Sequence, residues 1–141
     1  MVSFKETKED VSAILSDSSV FMTKLDNLYI HGTRIKASAP SCSVCTYEDS
    51  IAAMPHCMCN HIPGIRKYFE MGDLAGLIAP RRLVIAAGKE DEIFPIDGVE
   101  KAFETAKSYY EKLGAADKCT LVIGEGGHLN YADLIWDELK K

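Results

Sequence analysis

Two short apolar runs on either side of one amphipathic segment constrain this chain more than any other feature. Leu83-Val84-Ile85-Ala86-Ala87 runs into Gly88. Val99, Ala102, Phe103, Ala106, Tyr110 and Leu113 then recur at helical spacing, and Leu121-Val122-Ile123 follows. A short continuous apolar run reads as a buried strand, and recurrence every three or four residues reads as one face of a helix. Strand, helix, strand in that order is a unit whose two strands lie parallel. The loops leaving both strands then emerge at the same sheet edge, where open α/β sheets bind ligands. The expected fold class is α/β, with mainly parallel strands flanked by helices.

Those two loops carry the chemistry. Asp91 lies just past the first run, in Gly88-Lys89-Glu90-Asp91-Glu92-Ile93-Phe94-Pro95, and His128 follows Gly126-Gly127. An Asp and a His side by side can form two thirds of a hydrolytic triad, the acid fixing the imidazole tautomer and the imidazole moving a proton. Glu90 and Glu92 flank Asp91, so residue type alone leaves the choice of acid open. A loop Asp is more often solvated and a lone His more often structural; it is their order and context that favour the pair.

The remaining pattern is coarser. Residues 5–15 suggest a short helix and residues 28–30 a strand. Residues 35–41 suggest a buried strand, and residues 48–59 a helix interrupted by Pro55. Ile62-Pro63-Gly64 marks a turn, residues 65–71 a short helical piece, and residues 73–78 a helix. The central helix is expected to take Asp97 as N-cap, with Glu100 completing a capping box, and to end at Gly114. A last helix over residues 131–139 places Ala132, Ile135, Trp136 and Leu139 on one side. Tyr68, Phe69, Tyr109, Tyr110 and Trp136 are expected in the core or at an interface.

Composition narrows the partners. A net charge of −5 without a basic cluster argues against nucleic acid. No apolar run approaches the roughly 18 residues that mark a membrane span, and no leader-like apolar stretch is visible, so a cytoplasmic location is expected. Five cysteines, an odd number, point to reduced thiols rather than a disulfide framework.

Ala79-Pro80-Arg81-Arg82-Leu83-Val84-Ile85, the G-x-x-D-x-x-x-P stretch from Gly88 to Pro95, and Gly126-Gly127-His128 together resemble the C-terminal half of an α/β-hydrolase. The nearest flavour is the dienelactone-hydrolase and acetyl-xylan-esterase-like group. The resemblance covers residues 33–141, and residues 1–32 carry no recognisable motif. It implies a partial α/β-hydrolase sheet, with Asp91 as catalytic acid and His128 as catalytic base. It also implies a small ester substrate, with deacetylation of a carbohydrate ester as the narrower expectation, and no cofactor. Arg82 departs from the Pro common before this strand.

The larger departure is the nucleophile. The family carries G-x-S-x-G at a strand–helix elbow, and no such motif occurs in this sequence. The expectation is therefore a partial or truncated enzyme, weak or inert alone because elbow and oxyanion donors are both missing. Ser41, Cys42, Ser43 and Cys45 are the substitutes to consider, each needing a base within hydrogen-bond reach. The implied open sheet edge would take a second copy or a complementing chain. This raises the alternative of a catalytically inactive interaction or oligomerisation module.

A third reading rests on cysteine spacing. Cys42, Cys45, Cys57 and Cys59, with His56 and His61, offer six zinc-type donors within the stretch from Cys42 to His61. Against a zinc-binding module stands the tendency of small thiols to be buried as packing.

Overall fold

The computed structural model describes residues 35–141. The segments over residues 5–15 and 28–30 lie outside the described residues. The described elements are β1 (Ala37–Ser38), α1 (Met71–Gly76), β2 (Arg82–Gly88), α2 (Ile96–Lys112), β3 (Cys119–Gly124) and α3 (Ala132–Leu139), with single 3₁₀ turns between them. The strands form one parallel sheet in the order β1-β2-β3, with Leu83 opposite Cys119 and Gly88 opposite Gly124.

β2 is continuously apolar because both of its faces are covered, as parallel strands require. Leu83, Ile85 and Ala87 point to one side, where α1 and α2 supply Met71, Ala75, Val99, Ala102, Ala106 and Tyr110. Val84 and Ala86 point to the other side, against Ile135 of α3 and Ala39. This period-two alternation builds two cores from one strand. The buried Tyr110 hydroxyl is satisfied by donating to the Arg81 carbonyl at 2.6 Å. The unusual Arg82 has a structural use: its Nη2 donates to the Glu138 carbonyl at 2.8 Å, placing a cation at the C-terminal end of α3.

Three expectations need correction. α2 starts two residues earlier than the capping-box reading, with Pro95 as N-cap and no side-chain cap. The Pro95 carbonyl accepts from the amides of Gly98 and Val99, so proline's fixed φ starts the helix and Asp97 sits within its first turn. Residues 48–59 form turns rather than a helix, with a 3₁₀ turn only at Met58–Asn60. There the Thr46 hydroxyl and the Asp49 carboxylate bond each other, and the Asp49 amide bonds the same hydroxyl, while Pro55 disfavours helix before it. β1 is a two-residue ladder plus a bridge from Ser41 to Ala86, since Pro40 has no amide to donate. Gly114 does take the left-handed conformation that ends α2, at φ +66°. Tyr68 and Phe69 are exposed, whereas Tyr110 is core.

Candidate active site

β2 and β3 end side by side, and their outgoing loops are stitched together. The Lys89 amide donates to Gly124 O at 2.8 Å, and the Glu90 amide to Gly126 O at 3.0 Å. This close approach needs Gly88: a Cβ there would lie 2.1 Å from Gly127 O and 2.6 Å from Gly126 O.

The stitching turns Asp91 inward while Glu90 and Glu92 remain exposed. The Asp91 side chain is fully buried. Its Oδ1 accepts the amides of Ile93 at 2.8 Å and Phe94 at 3.0 Å, so one carboxylate oxygen is fixed by its own loop. Oδ2 faces His128 Nδ1 at 3.0 Å. A carboxylate only accepts, so Nδ1 carries a proton, and in the neutral imidazole Nε2 then presents the lone pair. The His128 side chain is 41 % exposed, and its ring stacks on Phe94 with centroids 5.7 Å apart. A buried acid, an oriented imidazole and an accessible Nε2 are the arrangement that general-base chemistry requires.

The loop after β1 reaches the same place. Cys42 holds φ +47°, a region that residues with side chains seldom occupy. Its amide donates to Ala86 O at 2.8 Å, and its thiol donates to Leu129 O at 3.2 Å. Ser41 Oγ donates to the same Leu129 carbonyl at 3.2 Å and accepts the Tyr131 amide at 3.1 Å. The Tyr131 hydroxyl donates to Gly127 O at 2.8 Å. Ser41, Cys42 and Tyr131 thus hold the histidine loop from both sides. Burial pushes the Cys42 thiol up to about 11, with the Asp91 charge adding to the effect, and burial pushes Cys45 up to about 12. Both are protonated at neutral pH, the reverse of an activated thiolate. Cys45 donates to Pro95 O at 3.7 Å, away from the imidazole.

The four cysteines of the zinc reading are not brought together. Cys42 and Cys45 are buried, Cys57 and Cys59 are exposed, and the five cysteines form no disulfide. Among the described residues, the His, Cys, Asp and Glu donors that converge within metal-binding reach are those of Cys42, Asp91 and His128. Nothing local in the sequence marks this grouping, because Cys42 stands far before both Asp91 and His128 in the chain.

His56 also joins the site, in a way its cysteine neighbours do not suggest. Its Nε2 lies 3.2 Å from Ser50 Oγ, and its ring meets Phe94 edge-on at 5.6 Å. Ser50 donates its only proton to Ile93 O at 2.7 Å, so His56 Nε2 must be the donor in that pair. Phe94 therefore separates two imidazoles. Burial, then the neighbouring imidazoles of His61 and His128, hold the His56 pKa below its ordinary value.

Known proteins share this framework. No protein-family model matches the sequence. It is 29% identical over 102 residues to "Putative hydrolase YtaP" of Bacillus subtilis (strain 168), a match covering 70% of this chain and 34% of that protein. A carbohydrate esterase family 15 glucuronoyl esterase from Caldicellulosiruptor kristjansonii superposes with a TM-score of 0.65 at 18% identity, over 86% of this chain and 39% of that one. TT1662 from Thermus thermophilus superposes with a TM-score of 0.55 at 16% identity, over 87% of this chain and 48% of that one. The chain thus spans between about a third and a half of the proteins it matches. Its three parallel strands and flanking helices correspond to part of an α/β-hydrolase-type fold.

Proposed function

We propose that residues 33–141 form the acid–base half of a carboxylic-ester hydrolase, with Asp91 as the acid and His128 as the base. The observation that carries this reading is the buried Asp91, locked through Oδ1 and bonded through Oδ2 to His128 Nδ1 at 3.0 Å. In this reaction Nε2 of His128 takes the proton of a nucleophilic hydroxyl as it attacks the ester carbonyl. His128 then returns that proton to the departing alkoxide, and water completes hydrolysis by the same route. Asp91 keeps the imidazole in register and stabilises the imidazolium. Since this sequence carries no G-x-S-x-G, the nucleophile comes from a complementing segment whose strand pairs with the edge of β1 that is free among the described residues. Consecutive strands in such sheets are usually neighbours. A small ester is the substrate class, with carbohydrate esters favoured by the name of the glucuronoyl esterase that shares the fold.

A chimera tests this reading. The matching stretch of YtaP is replaced by residues 35–141 of this chain, and hydrolysis of an activated acetate ester is compared with that of YtaP. Turnover that falls by about 10³-fold or more in His128→Ala supports the assignment. A folded chimera that turns over equally well without His128 overturns it.

A further inference from the structure

We propose that Cys42, Asp91 and His128 form a binding site for a thiophilic divalent cation, zinc above all, and that filling it silences the base. One donor atom from each residue, a sulfur, a carboxylate oxygen and an imidazole nitrogen, lie within 4.8 Å of one another. Zinc accepts all three types, and in a tetrahedral site such donors sit about 3.5 Å apart. The contraction needed is small, and two features favour it. Cys42 is held in a left-handed backbone conformation that brings its thiol to the end of the histidine loop. Asp91 keeps Oδ1 on two amides, which leaves Oδ2 as the ligand. The half-exposed His128 side chain is the part that can move and is the route by which the ion enters. Water fills the fourth position.

The proton balance gives the consequence. Zinc replaces the proton between Nδ1 and Asp91, and that proton passes to Nε2, so the imidazole stays neutral. The thiol proton is released to solvent, as metal ligation of cysteine requires. With Nε2 protonated, His128 has no lone pair for a nucleophile's proton. The binding claim rests on geometry alone; the silencing rests on the hydrolase reading above.

Cobalt(II) is the probe, added to the purified chain in a Cys57→Ser/Cys59→Ser background that removes the exposed thiols. The expected result is one cobalt per chain with a thiolate-to-metal charge-transfer band, displaced by zinc. Cys42→Ser abolishes the band. His128→Ala, at a half-exposed position and checked for a native fold by circular dichroism, weakens binding by more than the roughly 10–100-fold that losing an outer-shell partner costs. Absence of the band in the background variant, or its persistence at full strength in either substitution, overturns the site. Zinc inhibition of the active chimera, reversed by a chelator, tests the consequence separately. A chimera that is active but binds no metal removes only this proposal, whereas a folded chimera that binds metal and whose metal-free form has no His128-dependent turnover removes only the hydrolase reading.

Discussion

The loops that leave β2 and β3 and the long segment between β1 and α1 are both rich in reactive side chains, yet the first pair holds Asp91 and His128 together, while the second brings Cys42 and His56 to them and leaves Cys57 and Cys59 exposed. Asp91 and His128 stand on loops joined by backbone hydrogen bonds, with the acid fully buried. Cys57 and Cys59 stand exposed on a stretch whose regular structure is limited to 3₁₀ turns. Catalytic groups must be held within a fraction of an ångström of their working geometry, and neighbouring packing is what holds them. The comparison teaches that donor spacing in the sequence is a weaker guide than the element that carries the donor. Cys42 illustrates this, since its working neighbours are Asp91 and Leu129 rather than Cys45.

The strongest way to break this contrast is Asp91→Asn. It keeps the shape but removes the acceptor that fixes the imidazole tautomer, and kcat of the chimera should fall by about 10⁴-fold with little change in KM. A fall of less than tenfold would place the acid elsewhere. Phe94→Ala comes next: it removes a buried ring between two imidazoles and should cost about 3 kcal/mol of stability by denaturant unfolding. Gly88→Ala should cost about 1–3 kcal/mol and shift the amide resonances of residues 126–128, because its Cβ meets backbone rather than a flexible side chain. On the other side of the contrast, Cys57→Ser and Cys59→Ser should each change stability by no more than about 0.5 kcal/mol.

The smallest effect concerns pH. The folded pKa of His56 is depressed below 6.5, so the unfolded chain binds more protons in the window just below that value. Stability should therefore be complete above 6.5 and decline as pH falls through that window. Urea midpoints at pH 7 and pH 5 measure this slope, and His56→Phe should flatten it. An unchanged slope would show that His56 does not pack its ring edge-on against Phe94.

The sequence showed most where periodicity was strong. β2, α2 and β3 follow from apolar runs and helical spacing, and the Asp–His separation places both residues at one sheet edge. It showed least where proline sets the backbone. Pro55 disfavours helix before it in residues 48–59, and Pro95 takes over the cap expected of Asp97. Cys42's place beside Asp91 was hidden for another reason: it depends on a left-handed residue joining segments far apart in the chain. The two glutamates beside Asp91 are equal candidates by residue type, and burial together with the bond to His128 separates them.

The most direct test of the central claim is the tautomer of His128 in the purified chain, read from its ring nitrogen and proton resonances near neutral pH. The account predicts a neutral imidazole protonated at Nδ1, with that proton shifted far downfield and lost in Asp91→Asn, and a bare Nε2. Protonation at Nε2, or a Nδ1 proton indifferent to Asp91→Asn, would contradict the claim that this pair is a poised base.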